Sequence, residues 1–133
     1  MHILESNHDI LMEIAKACDH CLKPWRHSII DNSTASLSDS PDELIDLTLK
    51  VECRGDNGER YPRNDLELEI YKSGSDLSIT LSWPFYPNRP ILWHGRHSIW
   101  MDPINGKRSS TPAEGSSLEA LARRLRSIFL TEE

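Results

Sequence analysis

Two tryptophans, two histidines and an arginine crowd into Trp93-His94-Gly95-Arg96-His97-Ser98-Ile99-Trp100. Rings from Trp83, Phe85, Tyr86, Trp93 and Trp100 offer faces that sandwich a flat ligand. A histidine can coordinate such a ligand, and Arg89 or Arg96 can hold its carboxylates. Haem fits that description, as does another planar anionic small molecule. The candidate ligand-binding set is therefore Trp83, Tyr86, Arg89, Trp93, His94, Arg96, His97 and Trp100, with His94 and His97 as candidate metal ligands. The competing expectation is structural. Large aromatics prefer burial, so Trp93 and Trp100 would complete the core of a strand whose histidines are ordinary exposed residues.

Gly95 decides how the histidines meet. In one unbroken strand over 91–101, His94 and Arg96 share a face and His97 points the other way. If Gly95-Arg96 is instead a two-residue turn of the glycine-first type, His94 and His97 become a cross-strand couple with Cβ atoms about 5 Å apart. That distance suits a shared metal or a flanked ligand.

Other candidate chemistry is weaker. Cys18-Asp19-His20-Cys21 has the spacing of a redox or metal motif. It falls at the carboxyl end of a predicted helix, however, where the dipole opposes a thiolate. Zinc would need two more ligands, recruited from Cys53 and His27. Buried, reduced thiols are the expectation for Cys18 and Cys21. Asp65, Glu67 and Glu69 alternate along a strand and read as a solvated face, since acid–base work needs a cleft that raises one pKa. There is no nucleophile elbow, phosphate-cradling glycine loop or histidine–glutamate zinc signature.

The elements that position these residues follow from periodicity. Strict apolar–polar alternation in Ile45-Leu47-Leu49-Val51-Cys53, Leu66-Leu68-Ile70 and Leu77-Ile79-Leu81-Trp83 predicts strands over 44–54, 65–72 and 77–83. Gly55-Asp56-Asn57-Gly58 and Ser73-Gly74-Ser75-Asp76 supply the turns between them. A fourth strand begins near Ile91, after Pro84, Pro87 and Pro90, and Asn105-Gly106 marks a further turn. Leu11, Ile14, Ala15, Cys18 and Leu22 trace one face of a helix over 7–22, capped by Ser6 or Asn7 and ended at Lys23-Pro24. Leu118, Leu121, Ala122, Leu125, Ile128 and Phe129 trace a second helix. Ser116 and Glu119 there match a capping box, and Arg123, Arg124 and Arg126 face outward. Residues 31–42 are a polar connector expected to be mobile.

The fold class is thus α+β: a two-layer antiparallel meander of four strands, or five with a further short one, between an N-terminal and a C-terminal amphipathic helix. At 133 residues and 15.2 kDa a single domain over 1–133 is expected. No run approaches the ~20 apolar residues of a membrane span. Glu5, Asp9 and Glu13 interrupt any apolar leader, so the cytoplasm is the expected compartment.

The net charge of −6 disfavours nucleic acid and acidic membranes as partners. Its distribution is uneven, because Arg89, Arg96, Lys107, Arg108 and the last-helix arginines make the carboxyl half locally basic. The function these features favour is a small non-enzymatic binding or assembly module that self-associates as a homodimer. A haem or metal binder using His94 and His97 is the first alternative. Weak binding of single-stranded nucleic acid or another polyanion through Arg96, Lys107, Arg108 and the last helix is the second.

Overall fold

The structure, a computed structural model, describes residues 7–33 and 44–130. Helix α1 (Asn7–Cys21) leads into strand β1 (Arg26–Asp31) through a cis Lys23–Pro24 bond. Five strands follow: β2 (Ile45–Arg54), β3 (Leu66–Ser73), β4 (Asp76–Ser82), β5 (Ile91–His94) and β6 (Ser98–Met101). Helix α2 (Gly115–Phe129) closes the chain, and a short 3-10 turn at Pro62–Asn64 precedes β3. All six strands pair antiparallel with their sequence neighbours, in the order β1-β2-β3-β4-β5-β6.

The α+β meander between terminal helices is the expected architecture, with six strands rather than four or five. The additional edge strand, β1, carries no run of apolar residues. It alternates His27, Ile29 and Asp31 inward with exposed Arg26, Ser28 and Ile30, and only Ile29 joins the core as an aliphatic side chain. The sixth strand arises because the segment after Ile91 folds back on itself at Gly95–His97.

Registration follows alternation. Leu49 opposes Leu68, Leu68 opposes Leu81, Leu81 opposes Leu92 and Leu92 opposes Trp100, so one row of side chains crosses five strands on one face. The helices cover that face with Ile10, Ile14, Ala17 and Cys18 from α1 and Leu118, Leu121, Ala122, Leu125 and Phe129 from α2. A slip of one residue would put this row in water. Each fully buried Leu or Ile contributes about 1.5–3 kcal/mol. The turn glycines Gly58, Gly74 and Gly106 adopt positive φ of 86°, 60° and 72°, which an L side chain resists.

Several local expectations are corrected. Helix α2 begins at Gly115 with Glu114 at its N-cap, and no side chain caps it. The Glu119 carboxylate instead accepts a hydrogen bond from Trp100 Nε1 at 2.6 Å, tying helix to sheet. Arg126 is half-buried and donates to the Leu77 carbonyl at 3.0 Å, whereas Arg123 and Arg124 are exposed as expected. Ser6 and residues 34–42 of the polar connector lie outside the described residues.

Asp65 is the largest departure from the expected solvated acidic face, since only Glu67 and Glu69 are exposed. Asp65 precedes β3 and is 4 % exposed. Its carboxylate accepts both Nη groups of Arg60 at 2.8 Å and the Cys53 amide at 2.8 Å. Arg60 also donates to the Cys53 carbonyl at 2.9 Å. Burial alone would raise the Asp65 carboxyl, but the Arg60 guanidinium and the Cys53 amide outweigh it and hold the group below the usual carboxylate range.

Replacing Asp65 by Asn breaks the bidentate pair. The expected loss is about 2 kcal/mol of stability, read as a lower urea midpoint. Glu67→Gln on the exposed face should stay within about 0.5 kcal/mol of wild type. Equal midpoints for the two variants would show that the Arg60–Asp65 pair does not hold β2 to β3.

Candidate functional site

Helices α1 and α2 stop short of one end of the sheet, where β1 and β3 begin and β2 and β4 end. A cavity of about 250 Å³ opens there. Aromatic walls come from Trp25, Trp83 and Tyr86, and charge from Lys23, Arg89 and Glu114. The Arg89 guanidinium lies 4.0 Å from the Tyr86 ring centre and 4.9 Å from that of Trp83, with the Glu114 carboxylate 3.9 Å away. A planar cation on two ring faces is held in orientation while keeping donors for an anion. The α2 N-terminus, the positive end of its dipole, contributes Ser117 and Leu118 to the wall.

The floor brings together two residues far apart in sequence. His27 and Cys53 are direct cross-strand partners and both line the cavity. The Cys53 amide is bound to Asp65, and its carbonyl accepts from Tyr61 N at 3.0 Å and from Arg60, all on the β3 side. A strand residue's amide and carbonyl point to the same side, so His27 and Cys53 form a non-hydrogen-bonded pair. In that arrangement Cα atoms approach to about 4.5 Å and side chains lie closest.

His27, with its side chain 2 % exposed, places Nδ1 3.0 Å from Asp19 Oδ1 in the last turns of α1. A carboxylate only accepts, so Nδ1 carries the proton, and in the neutral ring Nε2 bears the lone pair. Burial, the largest influence on the Cys53 thiol, pushes it above its ordinary value, with neighbouring Asn64 acting the other way. Burial likewise keeps Cys18 protonated deep in α1, as expected for an inert core thiol.

The eight residues singled out in the sequence divide three ways. Trp83, Tyr86 and Arg89 belong to the cavity. Trp93, Arg96 and His97 line a second cleft of about 430 Å³, between the β3–β4 and β5–β6 turns. The two openings sit at opposite ends of β4, roughly 20 Å apart at about 3.3 Å per residue. Trp100 and His94 lie between them, beneath α2. Trp100 stacks on Trp83 with ring centres 6.2 Å apart and planes 13° from parallel. Phe85 is 52 % exposed and packs its edge on Tyr86.

His94 pairs with Ser98, not His97, because the connection is the three residues Gly95-Arg96-His97, closed by Gly95 N to His97 O at 3.2 Å. The two histidines therefore diverge, His94 inward and His97 exposed at the tip. Gly95 is required for packing. A Cβ there would overlap the Trp93 indole, with Cζ3 only 2.8 Å away. Among the described residues no three His, Cys, Asp or Glu side chains converge as a metal site.

Trp25, His27, Asp19 and Asn64 were missing from the sequence-derived set. Cys53 was legible as an inward strand position. Its partner could be found only by recognising β1, whose inward positions His27 and Asp31 are polar.

Residues 11–128 match the family described as Domain of unknown function (DUF8659). The chain belongs to that family. Every residue lining the cavity falls inside the matched span. No curated protein and no solved structure matches the chain.

The surroundings of His94 predict an acid sensitivity for this DUF8659 member. The residue is 7 % exposed, and its buried Nδ1 has no hydrogen-bond partner among the described residues. Burial first, then Arg126 and Arg123, push the imidazole below its ordinary value of 6.5, with Glu119 acting the other way. The unfolded chain therefore takes up this proton more readily than the folded one. The stability linked to the neutral ring is complete above the unfolded value and declines as pH falls below it. Between about pH 7.5 and about pH 5 the wild-type urea midpoint should fall more steeply than that of His94→Leu, while His97→Leu follows wild type. Parallel curves for wild type and His94→Leu would place the sensitivity elsewhere.

Proposed function

We propose that the domain is a small-molecule binding module whose site is the cavity between the α1 carboxyl end and the α2 amino end, and that its ligand is a compact planar anion. The observation that carries this is the seating of Arg89 on the Tyr86 and Trp83 rings at 4.0 and 4.9 Å, at the edge of an aromatic-walled cavity. Ring faces accept a flat body and the guanidinium accepts a carboxylate. Lys23 and the uncapped start of α2 favour negative charge there, and Glu114 opposes it in part. At about 250 Å³ the space lies just below the usual range of about 300–1,000 Å³ for drug-sized ligands. That favours a single-ring carboxylate over haem, which would in any case need His27 in place of His94 and His97.

Self-association is a second proposal, favoured by a different observation. Ile91, Trp93, Ile99 and Met101 are half-buried on the face of β5 and β6 opposite the one that α1 and α2 cover. A contiguous apolar patch of that kind suits contact with a second copy.

Titration with 4-nitrobenzoate should quench tryptophan fluorescence saturably. Arg89→Ala should weaken the affinity at least about tenfold, equivalent to about 1.4 kcal/mol. Quenching that never saturates, or that Arg89→Ala leaves unchanged, would remove the cavity as the site. For the second proposal, sedimentation should show a dimer that Ile99→Lys converts to monomer. A monomer at every concentration would end it.

A further inference from the structure

The floor of the cavity holds more than binding requires. We propose that Cys53, His27 and Asp19 form a nucleophile–base–orienting set there, and that it transfers the acyl group of a compact ester to water. The inference rests on the cavity being a ligand site and adds a reaction to it. Four observations converge. His27 and Cys53 are a close, non-hydrogen-bonded cross-strand pair on the wall of one cavity. Asp19 accepts a hydrogen bond from the protonated Nδ1 at 3.0 Å, which leaves Nε2 as the basic nitrogen. Asn64 lines the same cavity as Cys53, so an amide donor borders the space where the thiol would attack. Asp65 and Arg60 lock the Cys53 backbone from the far side, as a nucleophile's position demands.

The thiol is protonated at rest, because burial raises it. A base acting during attack is what such a thiol needs. In the first half-reaction Cys53 Sγ bonds to the ester carbonyl carbon as His27 Nε2 takes the thiol proton. The carbonyl oxygen gains negative charge within reach of the Asn64 amide, the type of donor that stabilises such an oxyanion. The C–O bond to the leaving alcohol then breaks, and His27 returns the proton to that oxygen. In the second, water attacks the thioester while Nε2 takes its proton. The C–S bond breaks, the thiol is reprotonated and the acid departs. The sum is ester plus water giving acid plus alcohol. Lys23 and Arg89 favour an acyl compound that carries its own negative charge.

Incubation of the full chain with 4-nitrophenyl acetate, followed by peptide mapping, tests this. One acetyl group should appear on Cys53 at early times, with an initial burst of nitrophenolate followed by steady release, both abolished by Cys53→Ser. His27→Gln should slow acylation about 100-fold, the low end for loss of a general base. Asp19→Asn should slow acylation while 4-nitrobenzoate affinity holds, a split that mere loosening of α1 would not produce. The wild-type acetyl map needs no variant, so it decides the matter even if His27→Gln fails to fold. Acetylation confined to half-buried Cys21, or a wild-type rate in folded His27→Gln, would overturn the catalytic set. If 4-nitrobenzoate still binds in that case, the binding site stands without the reaction. If neither probe engages the cavity, both fall.

Discussion

One face of this sheet carries the buried aliphatic core, and the two helices cover it. Each helix has 15 residues, about 22 Å at 1.5 Å per residue. Strand β2 has 10 residues, about 33 Å at about 3.3 Å per residue. Helical cover is therefore shorter than the sheet it protects. Where it runs out, the inward row continues as Cys53, His27 and Trp83, larger or more polar groups than the Leu and Ile beneath the helices. The cavity is the geometric consequence of that mismatch. Its lining differs from the core because it borders solvent on one side.

Keeping such an end open without fraying requires a separate anchor, and Asp65 supplies it. The carboxylate joins the end of β2 to the start of β3 through the Cys53 amide, while Arg60 reaches over to the Cys53 carbonyl. Buried ion pairs commonly contribute less to stability than their contacts suggest, because desolvation offsets the attraction. Here every lone-pair direction in use is matched by a donor at 2.8 Å, and the result is a backbone fixed where the ladder would otherwise end. A second tie, His27 to Asp19, fastens the carboxyl end of α1 to the edge strand. Both ties converge on the His27–Cys53 pair.

Much of the fold was legible because alternation has a period of 2 and a helical stripe a period of 3.6, and both are conspicuous when one face is buried. Strands β2, β3 and β4 and the two helices announce themselves in this way. The signal fails where polar residues turn inward. His27 and Asp31 hide β1, and Asp65 imitates the exposed Glu67 and Glu69 until its partner is known. Local motifs misled when a tertiary partner competed. Glu119 has the spacing of a capping box, yet it accepts the Trp100 indole N–H, since a buried indole donor without an acceptor costs more than an uncapped helix end beside an open cavity. The site was legible only in part. Clustering along the chain placed Trp83 through Trp100 together, but β4 and β5 run antiparallel and send their ends to opposite edges of the sheet. Trp83 and Arg89 thus part from Trp93 and Arg96.

Trp83 connects what remains. It stacks on Trp100, which in turn hydrogen-bonds α2, and its other contact is the Arg89 guanidinium at the cavity edge. A ligand that draws Arg89 onto its own charge acts on a ring already fixed by the core, so Trp83 needs little reordering when the site fills. Preorganisation of that kind reduces the entropic cost of binding. It also explains the tolerance of a polar floor. His27 and Cys53 can stay close-packed and only partly paired because ties to Asp19, Asp65 and Arg60 carry the local stability, and the aromatic wall keeps the opening in shape without them.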